Sequence, residues 1–221
     1  MLYLIPTPIG NREDITQRSI RMLMEADLVL AEDTRTSRPL MQHYGVETQL
    51  RSYHAHNEHG IVPGLVDEMK DGATFALITD AGTPGISDPG FLLVRACREA
   101  GVEVSCLPGA AAFVPALAAS GIPCDKCPVE GFQPHNKGRQ TRLKYLADLP
   151  HTFALYESPH RIVKLLGQLL EFCGEDRTAC VAREISKLHE EVTTAPLTEL
   201  KAHYETKGKI RGEIVVVVAG K

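Results

Sequence analysis

Nothing in the 221 residues approaches the roughly 18 consecutive apolar positions that span a bilayer. The opening MLYLIPTPIGN carries no basic segment and meets Pro6 early, so neither a signal peptide nor membrane association is expected. An excess of positive charge is missing too. With 24 Lys+Arg against 28 Asp+Glu the formal net charge is −4, which argues against coating nucleic acid by bulk attraction but leaves room for a local basic patch. No G-x-G-x-x-G follows the first strand pattern, against a Rossmann dinucleotide site. The absence of G-x-x-x-x-G-K-[ST] speaks against a P-loop, and that of G-x-S-x-G against a nucleophile elbow. Internal repeats and low-complexity linkers are absent as well.

What is present is ordinary for a globular chain: 43% hydrophobic and 24% charged residues. The length suits one large domain or two small ones, and a chain this size buries roughly 70% of its unfolded surface without a disulfide or metal staple. Four of the six cysteines (97, 106, 124, 127, 173, 180) sit inside apolar runs, so buried reduced thiols and a cytoplasmic setting are expected. Cys124-x-x-Cys127 has no second pair to complete a zinc site, and no metal is expected. Charge is uneven. Residues 1–110 hold 9 Lys+Arg and 15 Asp+Glu, a net of −6; residues 111–221 hold 15 and 13, a net of +2.

Short apolar runs alternate with helical periodicity. Strands are expected at Leu2–Ile5, Leu28–Ala31, Phe75–Thr79, Val102–Leu107, Phe153–Tyr156, Thr178–Ala182 and Ile214–Ala219. Helices are expected after an Asp14 cap (Ile15, Ile20, Leu23 and Met24 on one face), around Pro39–Tyr44, and near Ile61–Lys70. Further helices follow at Leu92–Ala100, Ala110–Ser120, Ile162–Cys173 and Leu197–Tyr204. The pattern is that of an α/β fold in two domains: residues 1–110 with a mainly parallel sheet, and residues 111–221 with a mixed sheet and a basic loop. Pro108-Gly109 is a plausible hinge.

Ligands of open α/β sheets bind beyond the carboxyl ends of the strands. Here those ends carry Pro6–Asn11, Glu32-Asp33-Thr34-Arg35, the loop Asp80–Gly90 and Pro108-Gly109. The 80–90 loop, with three glycines and two prolines, is longer than a capping turn needs and suits a polar small molecule held by backbone groups. His54, His56, Glu58, Asp33 and Asp80 admit a metal reading, and a polar cleft lining fits them equally. Lys137, Arg139, Arg142 and Lys144 share the stretch Gln133–Ala147 with no acid between them. They read either as a phosphate-contacting patch or as a solvated helix face.

Six motifs occur in order: Leu4-x-Pro6-Thr7-Pro8-Ile9-Gly10-Asn11, Ala31-Glu32-Asp33-Thr34-Arg35, His56-Asn57-Glu58, Asp80-Ala81-Gly82-Thr83-Pro84-x-x-x-Asp88-Pro89-Gly90, Pro108-Gly109 and Tyr156-Glu157-Ser158. Together they resemble the tetrapyrrole methylase superfamily, and within it the branch that 2′-O-methylates a cytidine of 16S rRNA in the small ribosomal subunit. The resemblance implies S-adenosylmethionine as cofactor, a cleft between two α/β domains, and a homodimer. It maps cofactor contacts onto Pro8, Gly10, Asp80, Gly82, Thr83, Ile86, Ser87, Asp88, Ala111 and Ala112, and more loosely near Tyr156 and around Gly212-Glu213.

A ribose hydroxyl is a weak nucleophile, so a base is expected among Asp33, His56, Glu58 and Glu157. Arg35 and Arg38 would hold phosphates beside the 137–144 basic stretch. Some relatives extend past the closing strand; any RNA contact made there is either absent here or supplied by the core. Methylation of a tetrapyrrole or other small molecule, a metal-dependent hydrolase, and a plain RNA-binding module stand as alternatives.

Overall fold

The computed structural model describes every residue from Met1 to Lys221. Two compact units divide the chain, Met1–Ala111 and Ala112–Lys221. No helix is long and apolar enough to cross a membrane.

The first unit contains β1 (Leu2–Leu4), a 3-10 turn (Arg12–Asp14), α1 (Gln17–Glu25), β2 (Leu28–Ala31), α2 (Thr34–His43) and β3 (Leu50–Ser52). It continues with α3 (Glu58–Lys70), β4 (Phe75–Ile78), α4 (Phe91–Glu99) and β5 (Val104–Cys106). Its sheet is wholly parallel in the order β3-β2-β4-β1-β5. The central strands β2 and β4 read as unbroken apolar runs because both faces are covered. Leu28, Leu30 and Leu77 pack with Leu65 and Met69 of α3 and Leu93 of α4. Val29, Ala31 and Ile78 pack on the other face with Leu23 of α1 and Met41 of α2. The strand period of two thus feeds two separate cores.

The second unit runs α5 (Phe113–Ala119), β6 (Val129–Glu130), α6 (Arg139–Ala147), β7 (Phe153–Glu157), α7 (Ile162–Cys173) and β8 (Thr178–Arg183). It ends with β9 (Glu191–Pro196), α8 (Leu197–Thr206) and β10 (Ile214–Val218). The sheet order is β6-β7-β10-β8-β9; β6 and β7 are parallel and the rest antiparallel, the mixed sheet that was expected. Val216 and Val218 point toward Leu143, Leu165 and Leu200, while Val215 and Val217 meet Ala116 of the small-residue helix α5. Each fully buried valine stabilises the unit by roughly 1.5–3 kcal/mol of transfer free energy.

Several sequence expectations need correction. Asp14 does not cap α1; it ends the 3-10 turn that Asn11 caps, and Thr16 Oγ1 caps α1 by accepting from Ser19 N at 3.0 Å. Met24, assigned to the apolar face, is 49% exposed. Three strands went unread, β3, β6 and β9, and all lie at sheet edges. An edge strand is half-solvated, so its sequence (LRS, VE, EVTTAP) lacks the apolar run that marks a central one. Cys97 and Cys180 are buried as expected, whereas Cys106 is exposed and Cys127 and Cys173 half-buried; all six cysteines are free thiols.

At the Pro108-Gly109 turn a Cβ on Gly109 would come within 2.6 Å of Pro6 Cβ, so two strand-end turns meet where only hydrogen fits. Gly109→Ala is expected to lower stability by about 1–3 kcal/mol. Urea unfolding should show this as a lower midpoint at an unchanged slope.

Candidate active site

Because the first sheet is parallel, the loops after β1, β2, β4 and β5 leave the same edge. The loops after neighbouring β1 and β4 are joined. Thr7 N donates to Gly82 O at 2.9 Å, Gly82 N returns the bond to Thr7 O at 3.0 Å, and Thr7 Oγ1 donates to Thr79 O at 2.9 Å. This pairing sets the Pro6–Asn11 segment, with half-buried Pro8 and exposed Gly10, against the 80–90 loop. Thr83 Oγ1 ties the loop to Ala110 O at 2.9 Å. Gly90 has φ 145°, closed to a side chain by Leu77 at 3.2 Å, and Ser87 takes φ 65°, rare outside glycine. Gly82, Pro84 and Gly90 are buried, while Asp80, Gly85, Ile86 and Ser87 face out. The loop is therefore anchored at its ends and displayed in its middle.

Carboxylates gather at the same edge. Thr79 Oγ1 donates to Glu32 Oε2 at 2.8 Å. Asp88 is pushed up to about 6 by burial, then by Glu32 and Asp80, with a Thr79 hydrogen bond opposing. Asp80 is raised by partial desolvation and by Glu32. None of Glu32, Asp80 or Asp88 forms an ion pair. Three acids without a basic partner form an environment that a cationic ligand would complete. S-adenosylmethionine, with its sulfonium and ammonium, fits that donor set. Glu32 enters the sequence expectations only as part of the Glu32–Arg35 strand end, and Thr79 only as the last residue of a strand; their signal is position, at the ends of β2 and β4.

The expected bases fare differently. Asp33 caps α2, accepting from Arg35 N at 2.8 Å, and the Arg35 guanidinium grips both its oxygens, at 2.7 Å for the shortest contact. The side-chain and backbone bonds from Arg35 hold it down at about 2, which makes it a poor base and commits Arg35 to it. Glu58 accepts the Tyr53 hydroxyl at 2.9 Å. His56 is exposed, edge-on to His54 at 5.9 Å between ring centres. No three His, Cys, Asp or Glu side chains are placed to hold a metal, so the set required by a hydrolase is not assembled.

In the second unit Glu157 is fully buried. It accepts Arg139 Nη2 and Arg161 Nη2, both at 2.7 Å, and Ser158 N at 2.8 Å. A carboxylate enclosed in this way is structural, which corrects its assignment as a base. Arg139 is only 3% exposed by its side chain and also donates to Gln168 at 2.8 Å, so it does not face RNA. Arg142 pairs with Glu130 through Nε at 3.0 Å and Nη2. Of the basic stretch, Lys137 is exposed without an ion pair, and Lys144 is exposed over the Phe172 ring at 5.3 Å. Arg38 in the first unit is likewise exposed and unpaired. The acids that compensate Arg139 and Arg142 come from β7 and β6, invisible to a count along the stretch itself. Tyr156, the penultimate residue of β7, lies beside Phe132. Gly212 lies before β10, where Glu184 Oε1 accepts Glu213 N at 3.0 Å. Ala111 and Ala112 precede α5, Ala112 packing toward Val215 and Val217.

Residues 1–201 match the family model of the tetrapyrrole (corrin/porphyrin) methylases. The chain is 44% identical over 221 residues to a protein of Escherichia coli O157:H7 named ribosomal RNA small subunit methyltransferase I, covering 99% of this chain and 77% of that one. The like-named protein of Haemophilus influenzae is 45% identical over 223 residues, covering 100% and 79%. Among solved structures, a cobalt precorrin-4 methyltransferase superposes with TM-score 0.72 at 19% identity, covering 99% of this chain and 94% of the other. A uroporphyrin-III C-methyltransferase of Thermus thermophilus gives 0.66 at 22%, covering 99% and 93%. At such identities the structures speak to the fold alone.

Two stability measurements check this geometry. Arg139→Ala leaves Glu157 buried with one partner fewer and should cost about 3–5 kcal/mol, whereas Lys137→Ala should stay within about 0.5 kcal/mol of the parent. Asp88 holds its proton up to about 6 when folded, against an ordinary value of 3.8. The folded chain therefore binds more protons between those values, and stability falls as pH rises through the window. Asp88→Asn should lose that slope in urea unfolding followed from below pH 4 to above pH 6.

Proposed function

Because the chain belongs to the tetrapyrrole methylase family, among relatives named ribosomal RNA small subunit methyltransferase I, we propose that it methylates the 2′-hydroxyl of a cytidine in 16S rRNA of the small ribosomal subunit. As a methyltransferase of this family it would take its methyl group from S-adenosylmethionine. The observation that carries the cofactor reading is the set of three unpaired carboxylates, Glu32, Asp80 and Asp88, beside the displayed 80–90 loop.

When bound, the cofactor supplies an electrophilic methyl on a positively charged sulfur. The chain's part is positioning and charge. Asp80 and Asp88 offer anionic oxygens to the cation, and the loop backbone around Gly82–Ser87 offers polar groups to the remainder. Rigid anchoring by Thr7, Thr83 and Gly90 lowers the entropic cost of aligning donor and acceptor. On the acceptor side His56 is the candidate base whose side chain is not already held by a neighbour. Arg38 and Lys137 are the exposed cations for phosphate contact. An rRNA substrate would put the protein in the cytoplasm.

The cofactor reading has a thermodynamic signature. A cation placed beside Asp88 favours its ionised form and lowers its pKa. Calorimetric binding of S-adenosylmethionine at or just below pH 6 should therefore release protons, and binding well above pH 6 should release none. Asp88→Asn should abolish the release and weaken binding; wild-type binding with no proton release near pH 6 would remove Asp88 from the site. The acceptor is checked separately. Nucleoside mass spectrometry of 16S rRNA from cells lacking this chain should show one ribose-methylated cytidine lost, and an unchanged methyl inventory rejects the rRNA reading. His56→Ala should slow methylation of 30S subunits without changing cofactor affinity; full turnover would exclude that loop from the reaction.

A further inference from the structure

The buried Arg139–Glu157–Arg161 cluster is not explained by catalysis, and its surroundings suggest what it serves. The segment between β6 and α6 is held from beneath by these two arginines. Arg161 Nη1 donates to Gln133 O at 3.3 Å, and Arg139 Nη1 to Pro134 O at 3.4 Å. Arg139 N donates to Asn136 O at 3.2 Å, and Gln133, 3% exposed, folds back onto Gly131 O at 3.4 Å. Two buried polar atoms, Gln133 Oε1 and Arg161 Nε, have no partner within the chain.

Desolvating an Arg–Glu–Arg set is expensive, and a loop needs no such support merely to connect two elements. Above it sits Phe132, 62% exposed, its ring 5.8 Å from that of Tyr156 and tilted by 32°. Exposed Pro134, His135, Asn136 and Lys137 follow it, and no acid occurs between Gly131 and Ala147.

We propose that Phe132, backed by Tyr156 and held outward by the Arg139–Glu157–Arg161 cluster, is a stacking platform for an unpaired base of the RNA substrate. This rests on the rRNA reading above and adds a binding residue to it. Unpaired bases are read by stacking on aromatic rings, which needs no particular edge, while nearby cations hold the phosphates. A ring already ordered by its neighbours loses little entropy when a base lands on it. The segment that follows Phe132 is polar and free of acid, a composition suited to a nucleotide rather than to an extended apolar protein interface.

The chain has no tryptophan, so Phe132→Trp installs a sole fluorescent reporter at the platform. Its emission should be quenched by a short single-stranded oligocytidylate, far less by the same ribose-phosphate chain without bases, and not by S-adenosylmethionine alone. Phe132→Ala should weaken RNA binding roughly tenfold, and Phe132→Tyr should restore it, with unfolding midpoints near the parent's. Absence of quenching by RNA, equal quenching by the abasic chain, or quenching by the cofactor alone each overturns the platform. Quenching together with an unchanged methyl inventory in cells lacking the chain would leave the platform standing and reject the rRNA-methylation reading. Loss of the 16S methyl group with no quenching would do the reverse.

Discussion

Parallel pairing is the constraint on which the first unit depends. Five strands hydrogen-bonded in one direction must send every carboxyl end to the same edge, whatever the loops contain. The reciprocal bonds between Thr7 and Gly82 extend that order beyond the strands, so two loops far apart in sequence act as one ledge. The carboxylates of Glu32, Asp80 and Asp88 share an environment only because β2 and β4 are neighbours in register, Ala31 beside Ile78. Their mutual repulsion and partial burial are costs that the fold carries in the free state. The stability lost as Asp88 ionises is one expression of those costs.

The second unit resolves charge in the opposite manner. Glu157 is enclosed by two guanidiniums and a backbone N–H, so a catalytic-looking acid at a strand end becomes a fastening. Arg142 is drawn onto Glu130, and Glu191 is held at about 2 because Lys207, His203 and Arg183 outweigh the effect of its burial. About half of the unit's positive charge is thus engaged in ion pairs within it. Exposed Lys137 follows the exposed Phe132 ring in the chain without an ion pair of its own.

Much of this was legible in the sequence. The central strands announced themselves because both faces are buried, and Ile162–Cys173 was readable to the residue from its apolar periodicity. The edge strands β3, β6 and β9 were not, since half-solvated backbone leaves no hydrophobic signature. Asp14 passed for a cap because local rules reward an acid before an apolar run, yet the chain first spends a 3-10 turn there and Thr16 takes the role. Of the site, the 80–90 loop stood out by composition. The identities of the engaged and the unengaged side chains did not.

By itself the sequence determined the α/β class, the positions of the central strands, the loops that carry chemistry and the family, because these are encoded in short-range pattern and in motif order. Only the tertiary structure decided which charges are free. An ion pair is a statement about distance, and Arg139 meets Glu157 across 18 residues just as Thr79 meets Glu32 across 47. No local count can foresee such a meeting. The low dielectric that makes these partners matter exists only once the sheets have closed over them.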